Sequence, residues 1–326
     1  MKAPFPWFGG KSRVADLVWA RFGNVPNYVE PFFGSGAVLL ERPHAPGIET
    51  VNDLDGFVSN VWRALRDHPE ETARHATNPI NECDLHARNV HLFNIRSEFS
   101  ARLMGDPAFC DPMIAGWWLW GSACWIGSGF ATGNGPWNTV DGVFCKTGDG
   151  NKKQLPHLGN AGQGVTKQLP HLGDAGKGVT KQLPHLGDAG RAFDPSDGLL
   201  EWFGCLSNRL RTVRVACGDW TRIMGDSVTI KQGVTGVFLD PPYIGTEDLY
   251  NAESKSIAKD VEAWCLANGG NKKLRIALCG HEGDYDLPNW DCVAWSRCGG
   301  YDSGSTTTRH SDRIWFSPSC LSVGLF

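Results

Sequence analysis

The 11 cysteines of this 326-residue chain are odd in number and contain no Cys-x-x-Cys pair. That spacing is what small zinc clusters use, and a disulfide framework needs an even set. Neither is expected to organise the fold, and reduced, mostly buried thiols are. Long apolar runs are also missing. The most apolar stretch, Gly116–Phe130 (GWWLWGSACWIGSGF), is broken by glycine and falls short of the ~20 residues a bilayer-spanning helix needs. The opening MKAPFPWFGGKSR has no apolar signal core, so neither a membrane span nor a secretory leader is expected. An excess of positive charge is absent as well: 31 Lys+Arg against 35 Asp+Glu leave a net charge of −4. Binding of a polyanion through bulk charge is thereby excluded, and a nucleic-acid site has to be a local patch. What is present is 41% hydrophobic and 20% charged residues, enough to build a core. The 14 Trp and 40 Gly offer aromatic surfaces and tight loops, which suit a flat-ring ligand.

The first stretch reads as α/β. Asn27–Phe32 is a strand candidate ending in the glycine loop Phe33-Gly34-Ser35-Gly36, followed by an apolar helix start at Ala37–Leu40. Ile48–Val51 is a second strand, ending in Asn52-Asp53, and Asp55–Leu65 has helical spacing. Strand, loop, helix, strand and acidic residue make one βαβ unit. The middle differs. Glu82–Met104 carries a helical stripe of Leu85, Leu92, Ile95, Phe99 and Leu103. The Trp-rich run comes next, and its cluster of Trp117, Trp118, Trp120 and Trp125 is expected in a core. Three repeats with a period of 14 residues then occupy 153–193, each opening KQLPHLG. Their proline and glycines forbid a continuous helix, so turns or short hairpins are expected there. Helix returns at Asp197–Arg211, with Ser196 or Asp197 as cap and Leu199, Leu200, Phe203, Leu206 and Leu210 as its apolar face. Strands at Val213–Ala216, Gly236–Leu239, Leu274–Cys279, Cys292–Trp295 and Ile314–Phe316, with a helix at Ile257–Leu266, complete the α/β pattern. The expected fold class is α/β: a doubly wound, Rossmann-like sheet interrupted by a mainly helical insert.

The strongest chemical signal is Phe238-Leu239-Asp240-Pro241-Pro242-Tyr243. A carboxylate at the end of an apolar strand lies at the ligand-binding rim of an open α/β sheet. Two prolines fix two φ angles and remove two donors, which holds the nearby carbonyls outward. Asp240 with a proline carbonyl then makes a fork of two acceptors, matched to the two hydrogens of an exocyclic amine, and Tyr243 adds a ring on which a base can stack. A Pro-Pro turn capping a strand is the plain alternative. The second signal is Glu30-Pro31-Phe32-Phe33-Gly34-Ser35-Gly36, a glycine turn that lets a ligand approach the backbone. A dinucleotide fingerprint needs a third glycine where Leu39 stands. Asp53, at the next strand tip, is placed for ribose hydroxyls or as a helix cap. The third, Trp7-Phe8-Gly9-Gly10-Lys11-Ser12, is not a P-loop, because Phe5 occupies the position of its first glycine.

Taken in order, Trp7-Phe8-Gly9-Gly10-Lys11, Val29–Gly36, Asn52-Asp53, Cys217-Gly218-Asp219-Trp220 and Asp240-Pro241-Pro242-Tyr243 resemble the Dam-like DNA adenine N6-methyltransferases. The resemblance covers roughly residues 1–66 and 212–326. It implies a catalytic domain over those two segments that uses S-adenosylmethionine, with a target-recognition domain at 67–211 that includes the repeats. It further implies that Trp7 and Lys11 hold the methionine end of the cofactor, that Glu30, Phe32, Gly34 and Gly36 form its loop, that Asp53 binds its ribose, and that Asp219 and Trp220 border its adenine. Asp240, Pro241, Pro242 and Tyr243 are then the catalytic tetrapeptide that holds a flipped adenine, with Asp240 also against the cofactor. The implied partner is double-stranded DNA, handled by a monomer without metal in the cytoplasm of a prokaryote or phage-infected cell. The same fork would serve cytosine N4 or an RNA amine, and a binding protein that no longer turns over is the reading from another class. His281 matches a family segment but receives no role. For DNA contact, Arg209, Arg211, Lys153, Lys167, Lys181 and Arg309 are candidates, with a solvated face as the alternative. His157, His171 and His185 recur once per repeat and are read as structural rather than metal-binding.

Overall fold

The computed structural model describes residues 1–5, 11–125, 130–132, 137–140, 143–146, 195–242, 253–295 and 312–322. The repeats lie outside the described residues. The chain divides into two compact units. One comprises Met1–Ala3, Trp7–Leu54 and Thr212–Phe326, and the other Pro4–Pro6 and Asp55–Arg211.

The first unit carries a seven-stranded sheet. Its strands are β1 (Asn27–Glu30), β2 (Ile48–Asp53), β5 (Val213–Cys217), β6 (Thr235–Leu239), β7 (Leu274–His281), β8 (Asp291–Ala294) and β9 (Asp312–Phe316), in the spatial order β5-β2-β1-β6-β7-β9-β8. The first five of that order pair in parallel, while β9 runs antiparallel to β7 and β8 antiparallel to β9. Central strands buried on both faces read as continuous apolar runs, and every residue of β1 and β6 is buried. The chain steps outward from β1 to β2 and β5, then returns to the other side of β1 as β6. The switch point therefore falls between β1 and β6, where ligands bind in open α/β sheets.

Both faces of this sheet are covered. On one, α1 (Ala15–Phe22) lays Trp19 and Phe22 against Tyr28, at ring distances of 5.0 and 6.3 Å. Gly236 permits the approach, since a Cβ there would stand 2.7 Å from the Phe22 ring. On the other, Ala258, Val261 and Cys265 of α8 (Glu253–Asn268) share a core with Val29, Val237, Leu239, Ile276 and Leu278. This is the doubly wound, Rossmann-like α/β fold expected from the pattern.

The second unit is mainly helical among the described residues: α3 (Gly56–Asp67), α4 (Pro69–Ala76), α5 (Glu82–Gly105), α6 (Pro112–Cys124) and α7 (Pro195–Leu210), with a hairpin of β3 (Trp137–Val140) and β4 (Val143–Lys146). The remaining helix, α2 (Ala37–Leu40), belongs to the sheet-bearing unit. Asp55, Asn81 and Asp111 cap α3, α5 and α6 by accepting backbone N–H bonds. Of the stripe on α5, Leu85, Leu92, Phe99 and Leu103 are buried, while Ile95 is only half-buried. The Trp-rich run is α6. Trp118 and Trp120 are buried in it, and Trp117 and Trp125 are half-buried. Helix α7 starts at Pro195, so Ser196 and Asp197 lie inside it rather than at its cap. Proline suits a first helical turn because its missing N–H needs no partner there. Leu200 is 40% exposed and stands off the apolar face, which Leu199, Phe203, Leu206 and Leu210 form. No disulfide joins the described cysteines, but Cys83, Cys205 and Cys292 are exposed, so the expectation of mostly buried thiols holds only for Cys124, Cys217, Cys265 and Cys279.

Candidate active site

Three carboxylates close three adjacent parallel strands. Glu30 ends β1, Asp53 ends β2, and Asp240 follows β6 directly. Because these strands run the same way, all three fall on one rim of the sheet. Glu30 is 2% exposed and accepts a 2.8 Å bond from the Tyr28 hydroxyl. Burial pushes its carboxyl well above the ordinary range. The Tyr28 bond opposes this, and the charges of Asp240 and Asp53 add to it. Burial likewise raises the Tyr28 phenol, with Glu30 adding to the effect. Proximity of like charges and loss of water act in the same direction on Glu30.

The loop after β1 is tied to its neighbours through backbone groups. Gly34 (φ +46°) donates its N–H to Asp53 Oδ2 at 2.8 Å. Phe33 donates to the Asn52 carbonyl at 2.9 Å. Asn52, 1% exposed, donates through Nδ2 to the carbonyls of Pro31 (3.1 Å) and Gly218 (2.9 Å), which ties the loops after β1 and β5 to the end of β2. Gly36 (φ +65°) turns the chain into α2, a conformation that costs glycine nothing. The Phe32 ring stacks on Trp220 at 5.9 Å and 25°. Trp220 opens a 3-10 turn, Trp220–Ile223, which the exposed Asp219 caps by accepting the Thr221 N–H at 2.9 Å.

Asp240 is paired. Lys11 Nζ lies 2.7 Å from its Oδ2, and the two side chains are 7% and 19% exposed. The Lys11 ammonium also faces the Trp295 ring, 5.5 Å from its centroid. Pro241 is buried and Pro242 half-buried. Further along the same rim, His281 ends β7, its Nε2 3.6 Å from Asp312 Oδ1 and its N–H donated to Asp284 Oδ2 at 2.6 Å. Tyr285 is buried edge-on to Trp315, and burial holds its phenol far above the ordinary value, with smaller contributions from Asp284 and Asp240. Among the described residues, three buried polar atoms along this rim lack a hydrogen-bond partner: Asn52 Oδ1, Tyr285 Oη and Trp295 Nε1. Buried polar groups are nearly always satisfied, so such atoms mark places where a ligand or water belongs.

Of the residues singled out in the sequence, the structure brings together Lys11, Glu30, Phe32, Gly34, Gly36, Asp53, Trp220, Asp240 and Pro241 within the sheet-bearing unit, with Asp219 at its surface. Trp7, Tyr243, Lys153, Lys167, Lys181 and Arg309 lie outside the described residues, as do His157, His171 and His185. Arg209 is half-buried in the last turn of α7 and Arg211 exposed after it. Four rim residues had no role in the sequence reading. Tyr28 was open to inference, because residues two apart on a strand share a face and Glu30 is two further on. Asn52 stood in a motif beside Asp53. Trp295 and Tyr285 carry no local signal, since only strand pairing brings their segments to this rim. Among the described residues no group of His, Cys, Asp and Glu could hold a metal ion. No helix among them is long and apolar enough to cross a membrane.

Comparison with known proteins bears on this geometry. Residues 7–103 match the family model of the D12 class N6 adenine-specific DNA methyltransferases. The match takes in Lys11, Glu30, the glycine turn and Asp53, and runs on through most of α5. It bears out the Dam-like resemblance, and with it an adenine-specific DNA methyltransferase as the enzyme class. No curated protein matches the chain.

Proposed function

We propose that this enzyme takes its methyl group from S-adenosylmethionine and places it on N6 of an adenine flipped out of duplex DNA, with Asp240 as the catalytic carboxylate. The observation that carries the proposal is the set of three strand-end carboxylates around the switch point, one of them followed by Pro241-Pro242 and paired with Lys11.

The residues at the rim fit the cofactor. Its sulfonium and ammonium are cationic, and Glu30, Asp53 and Asp240 supply an anionic surround. Its amino-acid end is a zwitterion, and Lys11 beside Asp240 presents one charge of each sign at 2.7 Å. Gly34 and Gly36 leave the turn without side chains, so a nucleoside can lie close to the backbone. Asp53 is held in place by the Gly34 N–H and offers acceptors for ribose hydroxyls. Phe32, stacked on Trp220, supplies an aromatic wall with Asp219 at its margin. When bound, the cofactor supplies a methyl group already activated on a sulfonium, so the protein's part is positioning and charge.

Adenine N6 is a poor nucleophile because its lone pair is delocalised into the ring. The Asp240 carboxylate and the Pro241 carbonyl accept the two N6 hydrogens, which favours a pyramidal nitrogen with a localised lone pair. Acceptors fixed beforehand act most strongly on the positive charge that develops on nitrogen in the transition state. The rigid Pro241-Pro242 backbone holds the fork, and Tyr243 stacks on the base, which must leave the duplex to be reached. In this reading residues 1–66 and 212–326 form the catalytic domain and 67–211 the target-recognition domain. Arg209, Arg211, Lys153, Lys167, Lys181 and Arg309 contact phosphates. One methyl transfer needs one site, so the enzyme acts as a monomer, in the cytoplasm of a prokaryotic or phage-infected cell.

The test is labelled methyl transfer from S-adenosylmethionine to unmethylated duplex DNA, with mass analysis of the nucleosides. N6-methyladenine is expected from the wild type. Asp240→Ala is expected to lose it by about 100-fold or more, as when one preorganised hydrogen-bond partner is removed from a transition state, while still binding S-adenosylhomocysteine. Full activity in that variant, or N4-methylcytosine as the product, overturns the proposal.

A further inference from the structure

Lys11 is held from two sides. Its ammonium pairs with Asp240 at 2.7 Å and faces the Trp295 ring at 5.5 Å. Trp295 comes to this place through the antiparallel end of the sheet. It directly follows β8, and its backbone N–H donates to the Asp312 carbonyl at 3.1 Å, opposite His281 at the end of β7. The ring is thus anchored by main-chain pairing, while its own polar atom is not used. Trp295 Nε1 is buried and has no acceptor among the described residues. An indole N–H can only donate, and leaving it buried and unmet costs free energy that native folds seldom accept. A phenylalanine ring would still meet the lysine, more weakly than an indole, because the cation–π attraction uses the face and not the N–H.

We propose that the Trp295 indole N–H is a cofactor-positioning donor that acts with the Lys11 ammonium on the α-carboxylate of the methyl donor. This inference rests on the cofactor reading given above. The chemistry selects the carboxylate over the rest of that ligand. Lys11 is a cation and recruits the anionic end. A carboxylate has two oxygens and can accept from two donors that stand up to roughly 7 Å apart at ordinary hydrogen-bond lengths, which suits an ammonium and an indole on either side of one 5.5 Å cation–ring contact. The amine end is left to the carboxylates of the rim. Trp295 therefore discriminates for ligands that carry the amino-acid moiety, and it does so from a segment far in sequence from the other cofactor residues.

The experiment is calorimetric titration of the full chain with two probes, S-adenosylhomocysteine and 5′-methylthioadenosine, which keeps the nucleoside and lacks the amino-acid end. Trp295→Phe keeps a ring for Lys11 and removes the N–H. The expected result is about tenfold weaker binding of S-adenosylhomocysteine, the usual worth of one hydrogen bond to a charged group, with 5′-methylthioadenosine unchanged. Trp295→His, which keeps a ring N–H, is expected to recover part of the loss. It also covers the case in which the phenylalanine variant does not fold. Unchanged binding of S-adenosylhomocysteine in Trp295→Phe, or equal loss for both probes, overturns the inference. Failure of the wild type to bind either probe overturns the cofactor reading itself, and this inference with it.

Discussion

Lys11 and Asp240 hold each other at 2.7 Å although they lie far apart in the sequence, on either side of the helical unit, one in the turn before α1 and the other directly after β6. The pair is largely out of water, so each charge depends on the other. Asp240 meets its cation through Oδ2, and in the proposed function an amino group competes for the same carboxylate.

Lys11→Met should therefore cost stability as well as ligand affinity. Removing one partner of a buried pair leaves an uncompensated charge, at about 3–5 kcal/mol when burial is complete. Asp240 keeps some contact with solvent, so about 2 kcal/mol is expected here. Urea unfolding reads the first effect and titration with S-adenosylhomocysteine the second. Lys11→Arg should restore stability better than affinity, because a planar guanidinium keeps the charge but not the point-like ammonium.

Glu30 gives the fold a pH dependence of known sign. Its carboxyl titrates above the ordinary value in the folded chain because burial disfavours its charge. The folded state then holds its proton more tightly than the unfolded state. The stability this contributes is complete below the unfolded value and is lost as pH rises through the folded one. Glu30→Gln keeps a partner for the Tyr28 hydroxyl without the charge. It should raise the melting temperature at neutral pH and flatten that part of the stability profile, measured by thermal melts across acidic to neutral pH.

Asp53 has two separable tasks. Its Oδ2 accepts the Gly34 N–H, and in the proposed function it binds ribose. Asp53→Ala should cost about 1 kcal/mol through the lost bond and weaken S-adenosylhomocysteine binding at least tenfold. Asp53→Asn retains an acceptor oxygen and should recover most of the stability. Parallel urea and binding titrations of the two variants check this.

In the helical unit, Gly116 lies where α6 crosses α4. A Cβ there would stand 2.8 Å from the Thr72 carbonyl oxygen and 2.9 Å from the Ala76 nitrogen. These are backbone atoms, which cannot swing aside. Gly116→Ala should destabilise by about 1–3 kcal/mol, the range for overpacking, although alanine is the better helix former. A lowered melting midpoint by circular dichroism is the readout.

The parts of the fold that were legible share one cause. Short apolar runs that end in turn or acidic residues, as at Val29-Glu30, Val51-Asn52-Asp53 and Phe238-Leu239-Asp240, mark buried parallel strands and their rim together. Each expected strand is present. Helix α6 was not legible as a helix, because it packs against α3, α4 and α5. It is apolar nearly all round, so no 3.6-residue stripe shows. Leu200 misled for the converse reason: it continues the apolar spacing of α7 and yet faces solvent. The hairpin of β3 and β4 was legible and was passed over: Asp141-Gly142, the dipeptide between the two strands, is a strong hairpin signal.

By itself the sequence determined the α/β pattern, the glycine turn, the carboxylates at strand ends and the two prolines that follow Asp240. These are local matters of periodicity, φ restriction and residue chemistry. Only the tertiary structure decided that β6 lies beside β1, so that Asp240 joins Glu30 and Asp53. It also decided that Lys11 is the cation Asp240 meets, and that Trp295 stands against that lysine with its N–H unmet. Those contacts follow from strand order and from the antiparallel return of β8 and β9. Strand order is set by the burial of whole faces, which no short window of residues contains.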